Sequence, residues 1–110
     1  AHPRAFGSMA RVLGRYVRDE HVLTLEDAVR KMTSLPARRI RLLDRGIVRP
    51  GMAADLVVFD LDRVRDLATF EKPLQYSEGF SHVVVNGRVV LDDGKMTDER
   101  PGRPLRPARP

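Results

Sequence analysis

The feature that most constrains this chain is a change of hydrophobic period at Gly46. Before it, apolar residues recur at helical spacing: Met9, Val12, Leu13, Tyr16 and Val17 make one stripe between Ser8 and Asp19, with Arg11, Arg15 and Arg18 on the other face. Thr24 is placed to cap a second helix, with Asp27 three residues on as an acidic variant of the capping box. Leu25, Ala28, Val29 and Met32 form its apolar face to about Thr33. Ser34-Leu35-Pro36 reads as a third start, the proline in the first turn where its missing N–H does no harm, leading to about Leu42 before Asp44-Arg45-Gly46 closes it. Beyond Gly46 the apolar residues come in short β-branched runs. Leu56-Val57-Val58-Phe59 is bracketed by Asp55 and Asp60 and is short enough for a strand buried on both faces. Asp62 to Phe70 is ambiguous, with room for one helical turn. His82 to Leu91 is two apolar strands joined by Asn86-Gly87, the pair a type I′ hairpin turn prefers, and Asp93-Gly94 closes it.

Helices first and strands second argue for an α+β arrangement or for two partial domains. Residues 1–45 read as helical and 46–99 as strand and turn. Residues 100–110 repeat proline every third position with arginines between, and are expected to be extended or disordered. Neither half looks complete, since the helices lack a sheet or bundle and the strands lack a second sheet. An incomplete core, and an opening Ala1-His2-Pro3 without an initiator Met, lead to the expectation of a piece of something longer.

Several chemistries are excluded by what the chain carries. There is no cysteine, and the three histidines (His2, His21, His82) stand at no ligand spacing, so no metal site within this segment and no thiol chemistry are expected. Apolar runs reach only four residues, far below the roughly 20 that span a bilayer. With no secretory signal either, the expected setting is cytoplasmic, without a membrane partner. Residues 1–45 hold ten bases against five acids, 46–99 six against ten, and 100–110 four bases alone. Few aromatics accompany the bases, so a nucleic-acid partner is not expected, and the preference for Arg over Lys reads as coding bias. Ser8, Ser77 and Ser81 lie in no nucleophile elbow, the glycines are scattered singly as turn residues, and the acid pairs Asp19-Glu20 and Asp92-Asp93 read as solvated charge at element ends. His2-Pro3-Arg4-Ala5-Phe6-Gly7 differs: a rigid His-Pro-Arg with a glycine ahead of a helix reads as a loop that holds side chains in place. Arg4 is the candidate to grip a carboxylate in bidentate fashion, and His2 a candidate ligand or hydrogen-bond donor. His21 and His82 read as structural or exposed.

Three stretches carry a resemblance. His2-Pro3-Arg4-Ala5-Phe6-Gly7-Ser8, Arg11 to Arg18 (Arg-Val-Leu-Gly-Arg-Tyr-Val-Arg), and Leu25 to Ala37 (Leu-Glu-Asp-Ala-Val-Arg-Lys-Met-Thr-Ser-Leu-Pro-Ala) closely resemble the C-terminal part of N-acyl-D-amino-acid deacylases, the D-aminoacylases. Asp44 to Asp60 and the Val84-Val85-Asn86-Gly87 hairpin resemble the end of amidohydrolase-superfamily enzymes at large. The resemblance implies an α+β fragment: the last helices of a TIM-like (β/α)8 metal-dependent hydrolase barrel, followed by strands of its small β-sandwich domain. It implies zinc in the full-length enzyme, held by residues upstream, with the general-base Asp also falling before Ala1 and the missing N-terminal part of the chain as partner. The implied activity is hydrolysis of the linear amide of N-acyl-D-amino acids, the segment alone being inactive. Arg4 would hold the substrate carboxylate, with His2 beside it shaping the loop, and Asp55 would anchor the turn before its strand. Arg41 stands where the family often has glycine, and Met9-Ala10 replaces a more usual aromatic-proline pair. Alternatives are a cyclic-amide hydrolase of the hydantoinase or dihydropyrimidinase kind, a basic module binding nucleic acid through the helices and the Arg/Pro tail, and a non-catalytic β-domain.

Overall fold

The computed structural model describes residues 2–109. Two compact units are formed, Ala1–Ala28 with Phe59–Phe80, and Val29–Val58 with Ser81–Pro110. The described residues have an α+β element order, with a four-stranded sheet in the order β1-β2-β3-β4. Among the described residues no helix is long and apolar enough to cross a membrane.

In the first unit, helix α1 spans Arg4–Arg11 and continues as a wider π-helical stretch over Val12–Asp19. The helix was expected from Ser8. It starts a turn earlier because Pro3, with φ −53°, already holds helical backbone and the N–H groups of Ala5 and Gly7 reach the carbonyls of His2 and Pro3. The expected His-Pro-Arg-to-Gly loop is therefore corrected: Arg4 opens the helix and Gly7 lies inside it. The buried face is Gly7, Ala10, Leu13, Gly14 and Val17, while Met9, expected in the stripe, is 63% exposed. The face is one of small residues because segment 61–68 lies directly against it. A Cβ on Gly14 would sit 2.6 Å from the Val64 carbonyl oxygen, and one on Gly7 would run into the Asp66 carboxylate. These two glycines thus serve close approach within a helix, against the expectation that all sit at turns. Arg18 straps the contact from the side, its Nη1 donating to the carbonyls of Leu61 (3.0 Å) and Val64 (2.6 Å). The room left for a helical turn over 62–70 is not used. A tight turn at Asp60 receives the Val64 N–H, and Arg65 pairs with Glu78 in an isolated bridge. Thr24 caps as expected, its Oγ1 accepting the Asp27 N–H at 3.1 Å, at the start of α2 (Leu25–Met32).

In the second unit, α3 (Ser34–Arg39) ends in a Schellman motif, with the Leu42 N–H on the Ala37 carbonyl and the Arg41 N–H on that of Arg38. The motif puts Arg41 at φ +61°, the left-handed conformation glycine takes most easily. Strands β1 (Leu56–Phe59), β2 (Phe80–Val85), β3 (Arg88–Asp92) and β4 (Lys95–Met96) follow. The expected hairpin is present, β2 antiparallel to β3 with Asn86 at φ +50° and Gly87 at +76°, both positive as a type I′ turn demands. Asp93-Gly94 does not end the sheet: it makes a second turn of the same kind into β4, antiparallel to β3. The expectation that β1 is buried on both faces is wrong. Leu56, Val57 and Val58 are exposed, at 39, 52 and 53%. Residues 100–109 carry no helix or strand. They are tied down at both ends: Asn86 Nδ2 donates to the Pro101 carbonyl at 2.8 Å. The Arg41 carbonyl accepts the Ala108 N–H at 2.9 Å, and the Arg41 guanidinium reaches the carbonyls of Ala108 (3.0 Å) and Arg109 (3.1 Å).

Candidate functional site

The first unit holds an open cleft of about 440 Å³, with His2, Arg4, Ser8, Arg11, Asp66 and Phe70 among its lining. Arg4, Ser8 and Arg11 recur at spacings of four and three along α1, which puts them on one helical face and makes that face a wall. The loop 66–71 makes the other. Asp66 fixes that loop: its side chain is 9% exposed, one oxygen accepts the Ala68 N–H at 2.9 Å, and the other lies 3.8 Å from Arg11 Nη1. The loop then carries Phe70 to an edge-to-face contact with the His2 ring, centroids 5.3 Å apart and planes at 79°.

Both residues singled out from the sequence line this cleft, in different conditions. His2 Nδ1 accepts the Arg4 backbone N–H at 3.1 Å, satisfying one of the donors that a helix start leaves unpaired. With Nδ1 taken by that bond, His2 shapes the helix start and keeps Nε2 for other use. Arg4 is exposed, and among the described residues its guanidinium has no hydrogen bond or ion pair. Arg11 is matched by Asp66, which leaves Arg4 on one wall and Glu71 on the other as the charges without such a contact. Two guanidinium groups against two carboxylates give no strong positive field. Recognition of an anion would rest on the planar fork of Arg4, which matches a carboxylate in bidentate geometry.

The donor set does not suit a metal. Among the described residues no three His, Cys, Asp or Glu side chains converge. Within the cleft His2 Nδ1 and Asp66 Oδ1 already accept backbone N–H groups, and the Asp66 carboxylate faces Arg11. Of the other histidines, His21 follows the π-helical stretch at φ +52°, and His82 lies in β2, with Nδ1 2.9 Å from Ser81 Oγ and Nε2 3.3 Å from Asp92 Oδ1.

A second polar constellation, in the second unit, was only partly legible. Asp55 anchors the turn before β1 as expected: Oδ1 accepts the Asn86 N–H at 2.8 Å and Oδ2 takes the Arg45 guanidinium. Arg45 reads in the sequence only as part of the turn that ends the third helix, yet it is 8% exposed and also donates to Asn86 Oδ1 at 2.6 Å. Burial works against ionising Asp55, but the Asn86 N–H and the Arg45 guanidinium outweigh it and hold the carboxyl below its ordinary range. The hint was Asn86 itself, a turn residue whose side chain reaches beyond its own hairpin to the Pro101 carbonyl.

Against known proteins, the chain is 54% identical over 105 residues to an N-acyl-D-glutamate deacylase of Alcaligenes xylosoxydans xylosoxydans, covering 96% of this chain and 21% of that relative. A crystal structure of D-aminoacylase, described as defining a subset of amidohydrolases, superposes with a TM-score of 0.92 at 48% identity, over 96% of this chain and 22% of the other. The N-acyl-D-glutamate deacylase of Bordetella bronchiseptica, solved with zinc and a phosphonate mimic of the tetrahedral intermediate, gives 0.85 at 50% identity over the same shares. The chain thus spans about a fifth of the length of the relatives it matches. The family model described as amidohydrolase family matches residues 2–91, and with that match the chain belongs to the amidohydrolase family.

Proposed function

We propose that this chain is the C-terminal segment of a metal-dependent N-acyl-D-amino-acid deacylase, which hydrolyses the linear amide of its substrate. The observation that carries the reading is the 54% identity to an N-acyl-D-glutamate deacylase across 96% of the chain. On this reading α1 and its π-helical continuation, with α2 and α3, are the last helices of a (β/α)8 barrel, and the strands belong to its small β-sandwich domain. Active sites of such barrels lie at the face where strands run into helices, and a residue that opens a helix, as Arg4 does, is placed for that face. On this reading the metal and the general base belong to parts of the enzyme outside this segment.

The role that falls to this segment is holding the substrate. Arg4 would clamp the free carboxylate through two parallel N–H···O bonds and so fix the scissile amide at a set distance and orientation. His2, seated on Phe70 and bonded to the Arg4 N–H, would keep the helix start in register for that clamp. The test uses an enzyme of the relatives' full length that carries this segment. N-acetyl-D-glutamate should be cleaved and hydantoin should not. Arg4→Ala should raise KM for N-acetyl-D-glutamate by roughly 10- to 100-fold, the worth of a charged hydrogen-bonded pair, with Arg4→Lys in between. Turnover of cyclic amides alone would overturn the reading in favour of a hydantoinase-like enzyme, and an unchanged KM in Arg4→Ala would remove Arg4 from the substrate.

A further inference from the structure

The proline-rich segment after β4 is used by none of the chemistry above. Proline stands at 101, 104 and 107 with arginine before each, at 100, 103 and 106, so six of the eight residues from Arg100 to Pro107 are a proline or the residue before one. Each proline locks its own φ near −65°, and each pre-proline residue is driven out of the helical region towards extended backbone. A three-residue repeat of that kind is the repeat of polyproline II, with three residues per turn, so it lays out three ridges: Pro101/Pro104/Pro107, Gly102/Leu105/Ala108 and Arg103/Arg106. The pattern Pro-x-x-Pro-x-Arg occurs twice, from Pro101 to Arg106 and from Pro104 to Arg109, with Pro104 common to both.

The surroundings hold this segment out and hold it still. Residues 102–107 are all exposed, Leu105 to 45%, and no hydrogen bond among the described residues engages them. Beyond both ends the backbone is fixed, at Pro101 by Asn86 and at Ala108 and Arg109 by Arg41. Arg103 lies within electrostatic reach of Asp55, whereas the Arg106 guanidinium has no partner among the described residues. A segment whose backbone entropy is already spent loses little on docking, which is the advantage polyproline ligands have over flexible ones. We propose that residues 101–106 are a docking motif for a second protein, one that presents a polyproline-binding groove lined by aromatic rings and flanked by a carboxylate. Pro104, with the exposed part of Pro101 on the same ridge, fills the groove, and Arg106 on the adjoining ridge meets the carboxylate, while Leu105 lies on the third ridge and faces away. This stands apart from Arg4 and the deacylase reading, and neither fails with the other.

The test uses an enzyme of the relatives' full length that carries this segment, with nitrogen-15 in the segment alone, and titrates it with an SH3 domain selective for Pro-x-x-Pro-x-Arg ligands. Saturable shifts should be confined to the N–H groups of 102, 103, 105, 106 and 108. Pro104→Ala, which breaks both copies of the pattern, and Arg106→Glu should each weaken binding at least tenfold, while Arg106→Lys keeps most of it. Unchanged shifts at Asn86 and Gly87 in each variant establish that the fold is intact. No response at millimolar domain overturns the proposal, as does binding that survives both Pro104→Ala and Arg106→Glu. A parallel titration with a single-stranded oligonucleotide covers the rival ligand: binding there that falls steeply with salt and ignores Pro104→Ala, with no response to the domain, makes the segment a nucleic-acid contact and overturns the proposal as well.

Discussion

Arg4 and Arg45 are the same side chain in opposite circumstances. Arg4 opens a helix, exposed, with nothing among the described residues holding its guanidinium. Arg45 is buried, with a carboxylate on one nitrogen and an amide oxygen on the other, and through Asp55 and Asn86 it joins the turn after α3, the approach to β1 and the tip of the β2–β3 hairpin. An arginine that is already fully used has nothing to offer a ligand, and one left unpaired contributes little to the fold. The cleft of the first unit therefore keeps an arginine with no partner among the described residues, while the polar junction of the second uses its arginine to fix strand ends.

The sharpest way to break the comparison is to remove Arg45. Arg45→Met keeps the volume and deletes the charge, leaving one oxygen of Asp55 and Asn86 Oδ1 without their donor. Breaking a buried pair from one side costs about 3–5 kcal/mol. Asp55 is a third exposed at its side chain, so solvent takes over part of the loss and a fall of about 2–3 kcal/mol is expected. Urea denaturation measures it, and a double change with Asp55→Ala should recover part of the loss. A cost within 0.5 kcal/mol would mean that the junction is ornamental.

The first unit has its own structural requirement, and Gly14→Ala tests it. Alanine in a helix gains about 1 kcal/mol over glycine. Against that, the new methyl would meet the Val64 backbone oxygen at 2.6 Å, and overpacking against backbone costs about 1–3 kcal/mol. The clash wins, and a net loss of roughly 1 kcal/mol is expected, read from the same denaturation curves. A net gain would show that segment 61–68 can yield, and that the small-residue face is not what seats it.

How far each region was legible in the sequence follows from the range of the interactions that make it. The Asn86-Gly87 hairpin and the Thr24 cap are decided within four residues, by φ signs and one side-chain hydrogen bond, and both could be read directly. The early start of α1 was missed because Gly7 reads locally as a turn residue, and only the carboxylate of Asp66 above it explains a glycine inside a helix. The same holds for the stripe: Met9 is a better core residue than Ala10 by hydropathy, but the close approach of 61–68 admits only the small one. Arg4 was singled out because a rigid His-Pro-Arg just before a helix reads as a place that holds side chains, and the structure puts it on the wall of the cleft. Arg45 was overlooked because its partners lie 10 and 41 residues away, and charge alone does not announce burial.

Acid should separate the two regions further. The Asp55 carboxyl is held below its ordinary value in the folded chain, so its contribution is fully present above the unfolded value of about 4 and is lost as pH falls through the lower folded one. Unfolding free energy should therefore decline below about pH 4, and Asp55→Asn should be less stable at neutral pH and show a shallower decline. An acid limb that is identical in Asp55→Asn would place its origin elsewhere.

The smallest effect on stability should come from Arg4, and its smallness is informative. Arg4→Ala removes an exposed side chain with no partner among the described residues, and alanine is at least as good a helix former, so the change should stay within about 0.5 kcal/mol. The substitution also leaves the Arg4 backbone N–H on His2 Nδ1, so the helix start keeps its pairing. A residue that the fold can lose without cost, yet which stands at the rim of a cleft with its guanidinium unused, is positioned for something other than folding. If Arg4→Ala instead unfolds the chain by 2 kcal/mol or more, well outside the range for exposed surface sites, Arg4 belongs with Arg45 and the division of work between the two regions fails.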